Sequence, residues 1–265
     1  MEQKIITLSS DFGKQTQGVG NMEGVIYAIN PSAKVVHLMH GMPAFDIFTA
    51  ARTMETVYYM PVGLHVCVVD PGVGTSRKGI IVETKRGDFL IGPDNGCLMT
   101  APRILGGIEK IVQIENPKYM LLPVSPIFHG RHIFAPAAAH LSLGVDIAEF
   151  GEGIKIKDCA KAPYDEAAVK GNTIKATVIH VNHFGSVHLN ILHEEWDKLN
   201  AKEVSMQFGS TTVSMPVATT FGDVPEGKPL ILKDDYKRIE VAINMGSFVK
   251  KHPLKTGDIV KLMAK

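Results

Sequence analysis

The sequence predicts an α/β N-terminal domain with a largely parallel central sheet covered by helices, followed by a smaller all-β domain. Two observations lead to this prediction. Apolar strand-like segments alternate with helical segments early in the chain, and only short β segments separated by turns occur from residue 173 onward. We assign residues 1–158 to the α/β domain, 159–172 to a polar linker and 173–265 to a small antiparallel barrel or sandwich.

Hydrophobic periodicity indicates the elements of the first domain. Apolar residues with a helical period that stop at proline or glycine indicate helices, and short apolar segments bounded by turns indicate strands. In chain order we predict strand 4–8, helix 18–30, strand 35–39, helix 45–59, strands 64–69, 80–83, 89–91 and 111–114, and helix 134–143.

The second domain is predicted to contain strands without intervening long helices. The predicted strands are 173–181, 187–191, 204–208, 211–217, 230–233, 239–243 and 259–263. Short strands at close spacing with turn residues between them are typical of antiparallel barrels and sandwiches.

Charge and composition exclude several classes of partner. The chain has 265 residues, with 28 Lys and Arg against 27 Asp and Glu. This balance offers no basic surplus for phosphate backbones, so we expect no nucleic-acid partner. No segment reaches the length of a membrane span, and the N-terminal residues lack the pattern of a secretory signal. We therefore expect a cytoplasmic protein without a membrane partner.

Polar residues occur where ligands of α/β proteins usually bind, outside the carboxyl ends of strands. Asp11 follows the first predicted strand, Asp70 follows the third, and His129 lies between a strand and the last helix. With Arg77 in the same loop as Asp70, these groups could position and polarise a water molecule without a metal. The loop is also consistent with a plain Asp-Pro-Gly turn. Spacing alone does not show that the side chains meet.

The sequence predicts no metal and no bound cofactor. Four histidines fall close together at positions 180, 183, 188 and 193, and His37 and His40 form a second pair. Because side chains alternate between the two faces of a strand, neighbours at odd spacing should point apart and not converge on a metal. The glycine-rich loops also lack the lysine of a P-loop and the spacing of a dinucleotide fingerprint.

Five motifs carry a resemblance to a known family. They are SSDFG at 9–13, NPSAKVVHLMHGM at 30–42, VVDPGVGTSR at 68–77, GPDNG at 92–96 and FHGRHIFAPAAAHL at 128–141. In this order they resemble the S-adenosylmethionine hydroxide adenosyltransferases, which are relatives of the fluorinases and chlorinases. The resemblance is strong over the first 150 residues and looser beyond.

The resemblance implies an α/β N-terminal domain, a β-barrel C-terminal domain and a homotrimer with active sites at subunit interfaces. It also implies a metal-independent hydrolase: water attacks C5′ of the ribose of S-adenosyl-L-methionine, giving adenosine and L-methionine. S-adenosylmethionine is then a substrate, and no cofactor is needed.

Site residues carry over by motif. The resemblance implies that Asp70, Arg77 and His129 activate the water and that Asp11 binds the ribose hydroxyls. Other side chains implied to bind the substrate are Phe45 and Phe221, which flank the adenosine, and Asn182 and Ser186 of the C-terminal Asn-His-Phe-Gly-Ser motif.

Several positions depart from the family pattern. Family hydrolases usually have an acid where this chain has His132, and Asn182 replaces an aspartate. In the halogenating relatives, the positions of Thr16, Gly18 and Asn182 handle the amino-acid end of the substrate. Two alternatives therefore stay open: an enzyme for a different 5′-substituted adenosine, and a non-catalytic adenosine-binding protein. Halogenation is disfavoured because a water-activating triad has little use in halide attack.

Overall fold

A computed structural model describes residues 4–13 and 16–265 of the chain. The chain divides into two compact units, the first ending at Pro163 and the second spanning Tyr164–Lys265. The division falls inside the predicted linker, whereas the predicted domain bounds 1–158 and 173–265 stay predictions. Over the described residues, no helix is long and apolar enough to cross a membrane.

The first unit alternates strands and helices in its first half. Its elements are β1 (Ile6–Ser10), α1 (Gln17–Ile29), β2 (Val35–Met39), α2 (Ile47–Glu55), β3 (Leu64–Val68), β4 (Gly79–Thr84), β5 (Phe89–Pro93), β6 (Ile108–Gln113) and α3 (Ala135–Ser142). Helix α2 continues into a 3-10 turn at Thr56–Tyr59, and a π turn at Gly130–Phe134 precedes α3.

These strands form a mixed sheet in the order β2-β1-β3-β5-β4-β6. Strands β2, β1, β3 and β5 pair in parallel, whereas β4 is antiparallel to both of its neighbours. The prediction of a largely parallel sheet is thus confirmed only for β2, β1, β3 and β5. The reason is the connection between β4 and β5, a tight turn at Gly87 (φ 97°) that is too short for a parallel crossover.

Apolar side chains cover both faces of this sheet. On one face, Ile6 and Leu8 of β1 pack with α1 and the alanine-rich α3. On the other face, Cys67 and Val69 pack with Ala50 of α2. Both faces are buried, and the buried strands still contain polar residues, such as Thr7 of β1 and His65 of β3, which hydrogen-bond to each other.

The second unit is a nearly closed antiparallel barrel. Its strands are β7 (Val169–Lys170), β8 (Thr173–Val181), β9 (Val187–Leu192), β10 (Glu203–Phe208), β11 (Thr211–Pro216), β12 (Pro229–Lys233), β13 (Arg238–Ile243) and β14 (Ile259–Ala264). The sheet order is β11-β10-β14-β8-β9-β13-β12, and a bridge between Val217 and Ile231 brings the two outer strands together. The structure thus favours the barrel over the sandwich.

Two short helices of the second unit lay outside the prediction, α4 (His193–Asp197) and α5 (Phe248–Lys251). Each is shorter than two turns, so neither produces a clear helical period in the sequence.

Candidate active site

Asp70 lies two residues beyond the carboxyl end of β3, and the loop that follows brings Arg77 back to it. The Val73 amide donates to the Asp70 carbonyl over 3.2 Å, and Gly74 has a φ of 76°. A Cβ at Gly74 would collide with the carbonyl oxygen of Pro126, so this position requires glycine. The loop therefore forms a turn and also positions the Arg77 side chain against Asp70.

Arg77 bridges the other two residues of the predicted triad. Its Nε donates to Asp70 Oδ1 over 3.0 Å, and its Nη2 contacts both Asp70 Oδ2 and His129 Nδ1, the latter at 2.9 Å. The structure thus brings together Asp70, Arg77 and His129, which spacing alone left separate.

The protonation states follow from these contacts. A guanidinium only donates, so His129 Nδ1 must accept and the neutral ring carries its proton on Nε2. Burial and the positive charge of Arg77 lower the pKa of His129. Burial raises the pKa of Asp70, although Arg77 opposes that rise. At neutral pH the cluster contains a neutral imidazole and a carboxylate whose affinity for protons is increased.

One nitrogen of Arg77 lacks a hydrogen-bond partner among the residues that the structure describes. Its Nη1 is buried and makes no hydrogen bond within the described residues, although the side chain is only 7% exposed. A buried, unpaired guanidinium nitrogen is costly, and such groups usually mark a place for a ligand or an ordered water molecule. Ser9 Oγ is also buried and unpaired among the described residues, but only Arg77 Nη1 belongs to a group in contact with Asp70 and His129, so we take it as a sign of a binding function.

Asp11 and Phe45 also lie together. Asp11 directly follows β1, and its Oδ2 accepts the Phe45 amide hydrogen over 2.8 Å. Phe45 has a φ of 66° and is 68% exposed, which is unusual for a large apolar residue. Left-handed conformations of non-glycine residues cost energy and cluster at ligand sites.

The remaining predicted residues lie in the second unit. Asn182 Oδ1 accepts the amide hydrogens of Phe184 and Ser186, both over 3.0 Å, so this oxygen is occupied by the turn that follows β8. The Asn182 amide nitrogen lies 3.3 Å from His188 Nε2 and donates to Glu240 Oε1 over 3.4 Å. Phe221 lies in a separate 3-10 turn, Phe221–Asp223, and is 47% exposed. Asn182 and Ser186 thus form one turn, and Phe221 lies on another.

The positions that depart from the family pattern have local structural roles. His132 is buried, and both of its ring nitrogens are occupied, Nδ1 by the carbonyl of Leu121 at 2.8 Å and Nε2 by Nε of Arg131 at 2.9 Å. A Cβ at Gly18 would lie 3.0 Å from the ring of Phe12. His132 is therefore a packing residue, and a larger side chain at Gly18 would displace that ring.

The structure corrects the expectation for His37 and His40. Their side chains do not point apart: His37 Nδ1 lies 2.9 Å from His40 Nε2. The reason is that β2 ends at Met39 and that its pairing with β1 shifts register between Leu8 and Ser9, so strict alternation does not reach His40. Within residues 4–13 and 16–265, no group of three or more His, Cys, Asp or Glu side chains could hold a metal ion.

The fold and this site define a class of protein: an α/β domain with an Asp–Arg–His cluster beyond its strand ends, joined to a small β-barrel. Residues 6–151 match the N-terminal domain of the SAM hydroxide adenosyltransferases, and residues 176–261 match their C-terminal domain. The chain belongs to this family.

Individual relatives agree with this assignment. An (R)-S-adenosyl-L-methionine hydrolase of Salinispora arenicola is 33% identical to this chain, and the aligned region spans 98% of this chain and 97% of that protein. A fluorinase of an Actinoplanes species is more distant, at 23% identity over 96% of this chain and 95% of its own. The crystal structure of an uncharacterised conserved protein from Thermotoga maritima superposes with a TM-score of 0.91 at 31% identity, covering 98% of this chain and all of that one.

Proposed function

We propose that this protein is a hydrolase of S-adenosyl-L-methionine that forms adenosine and L-methionine. The single observation that carries the proposal is Arg77 Nη1, which is buried beside Asp70 and His129 and is unpaired among the described residues. The hydrolase names of three relatives that are 32%, 33% and 34% identical to this chain support the same reaction.

The reaction makes few demands on acid–base chemistry. The oxygen of water bonds to C5′ while the C5′–S bond breaks. The electron pair of the C5′–S bond stays on sulfur and neutralises the sulfonium, so methionine leaves as a neutral thioether. No general acid is required, because a thioether is already a good leaving group. The requirement is an aligned nucleophile in a site with little water.

The cluster supplies this alignment. Arg77 Nη1 donates to the oxygen of the attacking water, and the Asp70 carboxylate accepts one of its hydrogens. The reaction releases one proton, and Asp70 is suited to receive it because its raised pKa increases its basicity. His129 holds the guanidinium in place through Nδ1.

The rest of the substrate is bound by the remaining predicted residues. In this proposal Asp11 binds the ribose hydroxyls, Phe45 and Phe221 flank the adenine, and Asn182 and Ser186 contact the amino-acid end. Three copies of the chain assemble into a homotrimer, with sites between subunits. S-adenosylmethionine is the substrate, and no further cofactor takes part. Location in the cytoplasm stays a prediction of the sequence.

The names of the relatives specify the (R) configuration at sulfur, and we extend this preference to the present chain. The test is to incubate the purified protein with each separated sulfonium epimer and to follow adenosine by chromatography. We expect faster release from the (R) epimer. Absence of adenosine above the uncatalysed background with both epimers would refute the proposed function.

A second candidate function is favoured by Asn182. Because its amide oxygen is occupied by the turn and its amide nitrogen faces Glu240, this residue offers no acceptor for a substrate ammonium group. An enzyme for a different 5′-substituted adenosine would need no such acceptor. Calorimetric titration decides between the two: much tighter binding of S-adenosylmethionine than of adenosine would exclude this second candidate.

A further inference from the structure

A chain of hydrogen bonds runs from the surface to the residue before Asp11. Glu23 Oε2 lies 3.2 Å from His37 Nε2, His37 Nδ1 lies 2.9 Å from His40 Nε2, and His40 Nδ1 lies 2.7 Å from Ser10 Oγ. Ser10 is fully buried, whereas the side chains of Glu23 and His37 are 31% and 40% exposed. The chain therefore joins a solvent-exposed carboxylate to a buried hydroxyl.

The outer end of the chain fixes the direction of every bond when both rings are neutral. A carboxylate only accepts, so His37 donates from Nε2 to Glu23 and must accept at Nδ1. His40 then donates from Nε2 and accepts at Nδ1. Burial, with the nearby His37, lowers the pKa of His40 to about 4, which keeps this ring neutral at pH 7.

Ser10 can satisfy this direction. Its hydroxyl donates to His40 Nδ1, and its oxygen accepts the Phe12 amide hydrogen over 3.4 Å. The backbone of His40 adds a second contact, because its carbonyl accepts the Gly13 amide hydrogen over 2.7 Å. His40 therefore holds the segment 10–13 at both ends, with Asp11 in between.

We propose that His40 is a positioning residue that fixes the Asp11 carboxylate for binding of the substrate ribose, acting through Ser10. The proposal rests on the proposed function, since it takes Asp11 as the ribose ligand. The same segment is held on its other side by Phe45, whose amide donates to Asp11. His40 and Phe45 thus determine where the carboxylate lies, and neither needs to touch the reacting atoms.

Two substitutions at His40 separate its two side-chain bonds. In His40→Asn, the side-chain amide oxygen can lie where Nδ1 accepts from Ser10, but nothing reaches His37. In His40→Gln, the terminal amide reaches the Nε2 position near His37, but the acceptor for Ser10 is lost. Both variants keep the backbone bond to Gly13, so they differ in the contact on which the proposal depends.

The measurement is the Kd for adenosine by calorimetry, together with kcat and KM for hydrolysis and the melting temperature. We expect His40→Gln to weaken adenosine binding and to raise KM about fivefold to tenfold, with a smaller change in kcat, and His40→Asn to recover most of the loss. His140→Gln, the same substitution on helix α3, is the matched control and should leave the Kd unchanged.

A double-mutant cycle tests the route through Ser10. Ser10→Ala removes the same bond and also the acceptor of the Phe12 amide hydrogen, so it should weaken binding at least as much as His40→Gln, and the double variant should bind no more weakly than Ser10→Ala. This variant also serves if His40→Gln does not fold. Binding by His40→Gln within twofold of wild type, or multiplied losses in the double variant, would overturn the positioning role. Wild-type protein that binds no adenosine would instead refute the proposed function together with this role.

Discussion

Two clusters with the same residue types lie at opposite ends of strand β3. The closed cluster consists of Asp88, His65 and Arg86 at the amino end, and the open cluster consists of Asp70, Arg77 and His129 at the carboxyl end. Both contain a carboxylate paired with a guanidinium and a neighbouring imidazole, yet they differ in how completely their hydrogen bonds are satisfied.

In the closed cluster every guanidinium nitrogen has a partner. Arg86 donates to Asp88 from Nε and Nη2, and its Nη1 and Nη2 donate to the carbonyls of Tyr58 and Val57 at 2.7 and 3.0 Å. His65 donates from Nε2 to Asp88 and accepts from Thr7 at Nδ1. Burial alone would raise the pKa of Asp88, but its bonds to His65 and Arg86 hold it well below the usual range.

In the open cluster the pKa of the carboxyl group is shifted in the opposite direction. Burial outweighs Arg77 and raises the pKa of Asp70, and Arg77 Nη1 has no partner in the part of the chain that the structure describes. The comparison shows that an Asp–Arg–His set is not by itself a sign of catalysis. An unsatisfied donor at the carboxyl end of a parallel strand is the informative feature, because the closed cluster has no capacity left for a ligand.

The largest expected effect is on stability, in the closed cluster. Asp88→Asn removes the negative charge that pairs with Arg86 in a fully buried position, so the free energy of unfolding should fall by about 3–5 kcal/mol. Urea denaturation measures this change. The kcat of the folded enzyme should stay near wild type, and a large loss of kcat without destabilisation would contradict the structural role.

A matched pair of arginine substitutions tests the open cluster. Arg77→Lys keeps the charge but loses the forked geometry that joins Asp70, His129 and the water, so kcat should fall about a hundredfold to a thousandfold. Arg86→Lys, the same change in the closed cluster, should lower the melting temperature and leave kcat almost unchanged. Equal kinetic effects of the two variants would abolish the distinction between the clusters.

The pH dependence of stability should report on the closed cluster. Burial lowers the pKa of His65, so the unfolded chain binds a proton at this residue that the folded protein does not. The contribution of His65 is therefore fully present above pH 6.5 and is lost as the pH falls, with a slope of up to about 1.4 kcal/mol per pH unit. Urea titrations at several pH values should show a flatter slope for His65→Asn, and an unchanged slope would argue against a neutral buried imidazole.

The smallest expected effect concerns backbone strain at Phe45, whose amide donates to Asp11. Phe45→Gly relieves the left-handed backbone conformation and should stabilise the fold by up to about 1 kcal/mol, while the loss of the ring weakens adenosine binding. Chemical denaturation and calorimetric titration measure the two effects. Phe45 is among the few residues other than glycine with positive φ in the described chain. None of these residues belongs to the closed cluster, so no comparable gain in stability from relieved backbone strain is expected there.

Much of the fold follows from the sequence because each segment carries its own periodicity. The predicted strand at 35–39 and the strand at 173–181 agree with β2 and β8, and the predicted helix at 18–30 agrees with α1 within a residue. The antiparallel direction of β4 could not be predicted from the sequence, because apolar content does not distinguish parallel from antiparallel strands in a sheet that is buried on both faces.

The candidate site divides in the same way. The residue types, the loops that carry them and, through the motifs, the family follow from the amino-acid sequence. The three-dimensional fold was needed to show that Arg77 reaches both Asp70 and His129 and that His37 and His40 meet. It was also needed to show that, among the described residues, one Asp–Arg–His set is saturated while the other keeps an unpaired donor. The physical reason is that hydrogen-bond saturation depends on atoms from distant strands and turns, which local sequence patterns do not encode.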